Sequence, residues 1–289
     1  MSDINVTPVD HLYKSGLIKN NGRKLFIHIL LIMGGFIMLI PFVWMLLTSF
    51  KTYAESVQVP IRWIPQSFNL NNYKAVITEM DFGKYYINTI IVTAAISVGQ
   101  AFICALAAYA FARMEFPFKN GLFLIVLAVL MVPAQMTLIP KYLLVSKLGM
   151  IDSLMGIIVP NLFSSFGTFL LRQFFMTLPK ELEDAAKIDG CSYFRTFWRI
   201  MLPLCSNGIL AFLIFTVLWA WNDLLWPLIA TSSDSKRVLS VGIAAFQGQY
   251  MTDYTLMMSA CVMAIMPMIL LFIIGQKKFI TLVATTGIK

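Results

Sequence analysis

The sequence predicts an all-α protein that crosses a membrane six times. Of its 289 residues, 59% are hydrophobic and only 12% are charged, whereas about 25% of the residues of a typical soluble domain are charged. The charged residues also leave six long stretches that contain no Asp, Glu, Lys or Arg. A spanning helix needs about 20 mostly apolar residues, and each stretch reaches or nearly reaches that length.

The six charge-free stretches set the positions of the predicted spans. We place these spans at about 25–48, 87–112, 120–140, 153–172, 206–230 and 256–276. The first stretch follows several basic residues, as a secretory signal does, but its apolar part is much longer than a signal core and no cleavage site follows it. We therefore expect a retained helix, with residues 1–24 as a tail and 25–289 as one transmembrane domain.

The distribution of Lys and Arg predicts the orientation, because basic residues accumulate on the cytoplasmic side of membrane proteins. An N-terminus in the cytoplasm places the basic residues of 1–24, 113–119, 172–199 and the C-terminal tail on that side. The same rule explains the net charge of +8. No basic patch alternates with aromatic residues as single-stranded nucleic-acid sites require, so we expect no nucleic-acid partner.

The predicted spans are interrupted by prolines and polar residues. The prolines in or near them are Pro133, Pro140, Pro160, Pro227 and Pro267. The polar residues are Gln135, Asn161, Ser164, Ser165 and Asn222. A proline removes a helical hydrogen bond, which neighbouring helices, side chains or a wet cavity must replace in lipid. The polar side chains either line such a cavity or join helices to each other.

The absence of charged residues from the six stretches also bears on how transport would be energised. Proton- or ion-coupled carriers hold an ionisable group within the membrane, and the six stretches have none. A secondary transporter stays an alternative, which inverted internal repeats would support; none is evident in the sequence.

The sequence offers no catalytic or metal-binding pattern. Its four cysteines and two histidines do not have the spacing of metal ligands. The H-E-x-x-H and G-x-S-x-G motifs of hydrolases are absent, as is the G-x-x-x-x-G-K-[S/T] phosphate loop. We therefore predict no catalytic residue, no metal site and no cofactor bound by this chain, and we do not expect an enzyme.

Residues 178–203, which we call the elbow, are the most polar part of the second half of the chain and predict two short helices. Pro179 suits the first position of the first helix, and Gly190 suits the position just after its end. Three acids favour the positive end of that helix dipole: Glu181, Glu183 and Asp184. The second helix carries apolar pairs, and we expect Pro203 to end it.

One face of the first elbow helix is a ridge of small residues that another protein can approach closely. The ridge consists of Leu182, Ala185 and Ala186. The second helix carries the aromatic residues Phe194, Phe197 and Trp198, together with Met201. On physical grounds alone, an amphipathic segment that lies on the bilayer surface is an equally good interpretation.

The spacing within the elbow adds a further argument. Asp184-Ala185-Ala186, then Gly190, then Ile200-Met-Leu-Pro203 resembles the cytoplasmic loop of the permease subunits of binding-protein-dependent ABC importers. Further segments resemble the carbohydrate-uptake branch, that of the smaller maltose-transporter permease: 41–49, 63–65, 72–73, 88–89, 107–113, 221–223 and 286–289. The resemblance runs from about residue 25 to the end.

The resemblance implies a role for the elbow. The first elbow helix is a coupling helix that sits in a groove of an ATPase subunit, with Asp184 as the coupling acid. Ala185 and Ala186 then form its close-packed face, and Gly190 its turn. The family usually has Glu where this chain has Asp184, so either the shorter carboxylate pairs with the ATPase or Glu183 shares the role. A second departure is Asn207, where related chains often have proline.

The resemblance also implies a fold, partners and a solute. The fold is that of type I ABC importer permeases, in the cytoplasmic membrane of a bacterium or archaeon. The partners are a second homologous permease, two ATPase subunits that bind ATP and Mg, an extracytoplasmic solute-binding protein and the bilayer. The solute is a carbohydrate, and the branch favours an oligosaccharide, with a glycerol phosphate ester as the alternative.

Several side chains are candidates for the solute path, because sugars bind to aromatic faces and hydrogen-bonding groups. They are Gln135, Asn161, Ser164, Ser165, Trp219, Trp221 and Asn222. Tryptophans near span ends also serve as interfacial anchors. The outer segments 51–84 and 231–253 either dock the binding protein or simply connect spans.

Overall fold

The computed structural model describes residues 11–79, 81–247 and 252–286, and the side chains of 24–78, 81–247 and 252–276. Within these residues the chain forms helices and turns and no strand. The long helices are α1 (His11–Ser49), α4 (Phe82–Arg113), α12 (Ser206–Asn222) and α15 (Tyr254–Thr286). Residues 1–10 of the predicted tail lie outside the described residues, and α1 begins before the expected start of the first span.

Shorter α-helices connect or extend these four. They are α2 (Tyr53–Val57), α3 (Asn71–Glu79), α5 (Lys119–Val129), α6 (Leu138–Lys147), α7 (Leu154–Ile158), α8 (Ser165–Thr177), α9 (Glu181–Ile188), α10 (Tyr193–Thr196), α11 (Leu202–Leu204), α13 (Leu225–Ala230) and α14 (Leu239–Ala244). Short 3₁₀ segments are Ala134–Thr137, Val159–Asn161 and Asp234–Lys236, and a π-helical segment is Phe197–Met201.

The described helices provide three to six candidate crossings of a membrane. Three are long and apolar enough to span it alone: Lys24–Ser49, Phe82–Arg113 and Tyr254–Gln276. Three further pairs pass the same test only together, because each is bent at a short break. The prediction of an all-α protein with up to six spans is therefore confirmed, but half of the spans are not single straight helices.

The third predicted span breaks at Pro133, and the fourth breaks just after the 3₁₀ turn that contains Pro160. The chain bends by 98° between Lys119–Val129 and Ala134–Lys147, where Pro133 disfavours helical geometry at Val132. It bends by 44° between Leu154–Asn161 and Ser165–Thr177. The side chain of Ser164 accepts a hydrogen bond from the amide of Gly167 and so caps the new helix.

The fifth span differs from the prediction. We expected one helix over 206–230, but α12 ends at Asn222, because Asp223 has an extended backbone, and α13 follows as a separate helix. On the other side, the bend of 76° between Tyr193–Leu204 and Ser206–Asn222 joins this span to the second helix of the elbow.

The protein core lies around α4. Its residues Cys104, Ala105 and Ala108 are fully buried, and they pack against α8 and α12. By contrast, no residue in the most apolar part of α1 is buried within this chain. α1 packs instead along α15, where the Ser259 hydroxyl donates to the carbonyl of Ser49 at 3.1 Å.

Gly156 provides a test of the packing at the fourth span. A Cβ atom at this position would lie 2.1 Å from the backbone oxygen of Met150, which cannot rotate away. We expect Gly156→Ala to lower the stability of the protein by about 1–3 kcal/mol, measured as thermal unfolding in mild detergent. Gly121→Ala is the matched control, because nothing lies within 4 Å of its Cβ position. An equal effect of the two substitutions would contradict this packing.

Candidate functional site: the elbow and a cavity between the spans

The first helix of the elbow is α9, which ends at a left-handed glycine. Gly190 has φ of +75°, and its amide donates to the carbonyl of Lys187 at 3.1 Å. The next amide, of Cys191, donates to the carbonyl of Ala186 at 2.9 Å. This pair of bonds is a Schellman motif, which satisfies the last carbonyls of the helix. At the other end, the helix begins at Glu181, two residues after Pro179.

The faces of α9 differ from the expected ridge. Ala186 is only 3% exposed and packs inside this chain, so it cannot form a face for a partner. The other members of the predicted coupling set divide between two sides: Asp184 and Ala185 are exposed, whereas Glu183 is half-buried and turned towards Arg113. The physical reason is that a helix of eight residues on a protein surface must bury one stripe.

Arg113, the last residue of α4, joins three elements. Its guanidinium donates to the carbonyl of Phe175 at 2.7 and 3.1 Å and also to the carbonyl of Leu178, at the end of α8. Its Nε lies 3.7 Å from the Glu183 carboxylate. Burial raises the pKa of Glu183, and the charge of Arg113 opposes that shift.

A second arginine completes the contact between α4 and α8. Arg172 of α8 donates from Nε to the carbonyl of Phe111, near the end of α4, at 3.1 Å. Each of the two helices therefore supplies an arginine to the carbonyl end of the other, where backbone groups have no helical partner. We call this pair of contacts the arginine clasp.

Two of the four apolar residues of the second elbow helix anchor it to the rest of the chain. Phe197 and Met201 are buried, and the Phe197 ring lies 5.3 Å from that of Tyr109 in α4. The other two aromatic residues, Phe194 and Trp198, are 63% and 51% exposed.

Pro203 does not end this second helix, contrary to the prediction. It lies in the first turn of α11, where proline is tolerated because no helical N–H is needed there. The π-helical segment before it changes the register of hydrogen bonding, and the chain turns only at Cys205.

A cavity of about 440 Å³ lies between α4, α8 and α12. It contains three of the predicted solute-path residues: Asn161, Ser164 and Trp219. The remaining lining residues are Gln100, Phe163, Phe166, Phe212, Phe215 and Thr216. Phe163, Phe166, Phe215 and Trp219 are 45–54% exposed, so the cavity is open on one side.

A chain of hydrogen bonds links the spans at this cavity. Gln100 of α4 donates from Nε2 to the carbonyl of Asn161 at 2.6 Å and accepts from the hydroxyl of Thr216 at 3.4 Å. The Asn161 side chain accepts from Lys141 Nζ at 2.9 Å. The Lys141 ammonium also lies 4.1 Å from the ring centre of Trp226. These bonds replace some of those lost at the break in the fourth span.

The other four predicted path residues do not line this cavity. Gln135 and Asn222 are exposed, the latter donating to its own helix at Leu218. Ser165 is buried in the first turn of α8. Trp221 is 8% exposed and donates from Nε1 to the carbonyl of Ala264 in α15, so its role is to join two helices.

Gln100, Thr216 and the phenylalanines of the lining were not predicted from the sequence. Gln100 does carry a signal, because it is one of only two amides, with Asn88, in the long apolar stretch 85–112. The phenylalanines carry no such signal, since they resemble any lipid-facing residue. Among the residues whose positions the structure describes, no group of three or more His, Cys, Asp or Glu is placed to hold a metal ion.

Comparison with known proteins agrees with these features. Residues 100–280 match the model of the family described as "Binding-protein-dependent transport system inner membrane component". This region includes the elbow, the arginine clasp and all of the residues that line the cavity.

Relatives match over most of the chain. The arabinooligosaccharides transport system permease protein AraQ of Halalkalibacterium halodurans is 32% identical, over 88% of this chain and 92% of that protein. The sn-glycerol-3-phosphate transport system permease protein UgpE of Yersinia enterocolitica is 31% identical, over 91% and 97%. A chain in the crystal structure of a bacterial ABC transporter that imports the acidic polysaccharide alginate is 20% identical, with a TM-score of 0.77 over 95% and 99%. This last similarity shows the fold.

Gly190 provides a test of the elbow geometry. A Cβ atom there would meet nothing within 4 Å, so only the positive φ opposes a side chain. We expect Gly190→Val to cost about 1–2 kcal/mol, the usual penalty for an L-residue in the left-handed region. Gly190→Asn should cost less, because asparagine tolerates this conformation. Thermal unfolding of the purified protein measures both, and equal losses would contradict the Schellman geometry.

Proposed function

This chain belongs to the family of binding-protein-dependent transport system inner membrane components, and we propose that it pairs with a second permease to form the path of a carbohydrate across the cytoplasmic membrane. Members of this family are transport permeases and depend on a binding protein and an ATPase. We propose two ATPase subunits, which bind ATP and Mg, and an extracytoplasmic binding protein that delivers the solute.

The observation that carries the proposal is the two-sided helix α9. Its exposed side presents Asp184 and Ala185, while its buried side holds Ala186 and Glu183 against the spans. A short helix that is exposed on one side and packed on the other can be moved by a protein that binds its exposed side. We propose that Asp184 contacts a basic residue of the ATPase, and that Gly190 and the segment ending at Pro203 keep α9 in position.

The proposed mechanism is alternating access. Binding of ATP draws two ATPase subunits together, their grooves move the α9 helices of the two permeases, and the spans open the cavity outward. Hydrolysis then restores the inward opening. Each step requires that ATP and the loaded binding protein bind the two states with different affinity. Both termini face the cytoplasm in this arrangement, and residues 25–289 form the transmembrane domain.

The cavity lining favours a neutral carbohydrate. Its open side carries the aromatic faces of Phe163, Phe166, Phe215 and Trp219, against which the apolar faces of sugar rings pack. Amide and hydroxyl groups of Gln100, Asn161 and Thr216 stand behind them. None of the described lining residues is charged. AraQ, which is named for arabinooligosaccharides, supports an oligosaccharide.

One observation supports a glycerol phosphate ester as the alternative solute. Lys141 reaches the cavity lining through its hydrogen bond to Asn161, and an ammonium at that position would attract an anionic group. UgpE, which is named for sn-glycerol 3-phosphate, is similar over nearly its whole length.

Hydrogen bonds hold the outer loop around residues 232–237 in place, which suits docking of the binding protein. The Asp152 carboxylate accepts hydrogen bonds from the hydroxyl and amide of Ser233 and from the amide of Ser232, which lowers the pKa of Asp152 to about 2. Asn88 holds the carbonyls of Ser235 and Arg237 at 3.1 and 2.8 Å. We propose that this fixed loop, with segment 51–84, receives the binding protein.

The class of the protein is tested by purification. The tagged chain is isolated from its native membrane in mild detergent, and its companions are identified by mass spectrometry. An ATPase and a second six-span permease are expected. Isolation of the chain alone, or only with its own copies, would contradict the proposal and favour a self-sufficient carrier.

Asp184→Lys tests the ATPase contact. Reversal of this charge places like charges opposite each other, which costs several kcal/mol at an interface. We expect the ATPase that co-purifies per permease to fall by about tenfold or more, since 1.4 kcal/mol corresponds to a factor of ten. Asp81→Lys, an exposed residue ahead of α4, is the control for reversed charge, and its yield of co-purified ATPase should stay normal. A normal yield of ATPase with Asp184→Lys would remove Asp184 from the interface.

Trp219→Ala tests the solute path. Removal of a central aromatic contact costs more than 1 kcal/mol at binding sites, so uptake of radiolabelled arabino-oligosaccharides into proteoliposomes should slow by about fivefold or more at low solute concentration. Leu218→Ala is the matched control, because Leu218 is its neighbour but does not line the cavity. Similar uptake by both variants would contradict the assignment of Trp219 to the solute path. Uptake of sn-glycerol 3-phosphate, measured in parallel, separates the two solutes.

A further inference from the structure

The inward face of α9 carries a contact with the spans of its own chain. Glu183 lies on this face, and its side chain is 16% exposed; that of Arg113 is 11% exposed. Asp184, on the same helix, is exposed, so it is better placed than Glu183 to meet a separate subunit. The alternative in which Glu183 shares the contact of Asp184 with the ATPase is therefore the less favoured one.

The pair formed by Glu183 and Arg113 is incomplete as a hydrogen bond. Arg113 uses Nε and Nη2 for the carbonyls of Phe175 and Leu178. The distance from its Nε to Glu183 Oε1 is 3.7 Å, longer than a hydrogen bond. Among the described residues, Glu183 Oε1 is buried without any hydrogen-bond partner. Such an atom is costly to leave unpaired, so a small shift of α9 changes the energy of this pair.

The residue on the other side of the pair is connected to the cavity. Arg113 ends α4, an unbroken helix of 32 residues, and Gln100 of the same helix holds the carbonyl of Asn161 at the cavity. A helix is stiff along its axis, because each residue is bonded to the next turn. Arg113 also holds the end of α8, which lines the same cavity through Ser164 and Phe166.

We propose that the Glu183–Arg113 contact is the link by which movement of α9 is passed to α4 and α8, and thus to the cavity. Both are positioning residues: they touch neither the ATPase nor the solute. This inference rests on the proposed function, since α9 must first be moved by an ATPase. The apolar contacts around Ala186 hold α9 in place, but they are non-directional. The energy of the Glu183–Arg113 pair changes with the distance between its two charges, so this is the contact that responds to a shift of α9.

The link is tested in the whole complex with a reporter in the cavity. Phe163→Cys places a thiol on the lining, in a background with Cys191→Ser and Cys261→Ser to remove the two partly exposed native thiols. The rate of labelling by N-ethylmaleimide is measured in proteoliposomes with and without MgATP, and ATP hydrolysis is followed in the same samples. These probes require no knowledge of the solute.

Glu183→Gln keeps the shape of the side chain and removes its charge. We expect ATP hydrolysis to persist while the effect of MgATP on labelling falls by about fivefold or more, the lower end of usual coupling free energies. Arg113→Lys keeps a positive charge and should retain part of the effect. A purely structural role predicts instead that thermal stability falls while the ratio of labelling change to ATP hydrolysed stays at the wild-type value.

Two controls isolate the link. Glu181→Gln removes a charge from the exposed side of α9, and Arg172→Lys alters the other half of the arginine clasp, which does not touch α9. Both should keep the response to MgATP. A wild-type response in Glu183→Gln, or an equal loss in Glu181→Gln, would overturn the link. If the reporter with native Glu183 brings no ATPase with it and shows no response to MgATP, the proposed function fails instead.

Discussion

The satisfaction of backbone carbonyls at interrupted helices is the constraint on which this fold depends. In hydrocarbon an unpaired carbonyl costs several kcal/mol, yet three of the up to six spans are bent at breaks. Side chains of α4 bind carbonyls at one of these breaks, in a connecting loop and at the end of α8. Asn88 binds the carbonyls of Ser235 and Arg237, Gln100 that of Asn161, and Arg113 those of Phe175 and Leu178. Helix α4, which is itself unbroken, thus stabilises segments of the chain that are interrupted.

This arrangement places the two candidate sites on a common support. The cavity lies along the middle of α4 and the elbow at its end, so neither site is built from a single loop. The apolar cluster of Tyr109, Phe175 and Phe197 holds the elbow to the same helix. A permease changes shape by moving its helices relative to one another while each helix stays intact. Where side chains already pair the polar backbone groups at a bend, this movement exposes no new polar groups.

Much of the fold follows from the sequence, because charge-free length is a strong signal for a span. The prolines also mark two of the breaks. The break at Asp223 and the placement of Pro203 could not be predicted, since both depend on how the chain packs after the turn. The faces of α9 show the same limit. The small residues Ala185 and Ala186 look alike in sequence, and only the packing of the folded chain decides that one is exposed and the other buried. Arg113 contacts both the end of α8 and Glu183 of α9, but the sequence shows only a basic residue at the end of a predicted span.

The pairing of α1 with α15 has a consequence for how the chain is made. These are the first and last helices among the described residues, and the bond from Ser259 to Ser49 joins residues 210 positions apart. Synthesis proceeds from the N-terminus, so α1 is inserted long before its partner helix exists. Contacts of such separation form late, since closure of a long loop must precede them. A ribosome that stalls before α15 therefore leaves α1 in the lipid without the helix it packs against, and quality-control proteases would meet an unpaired first span.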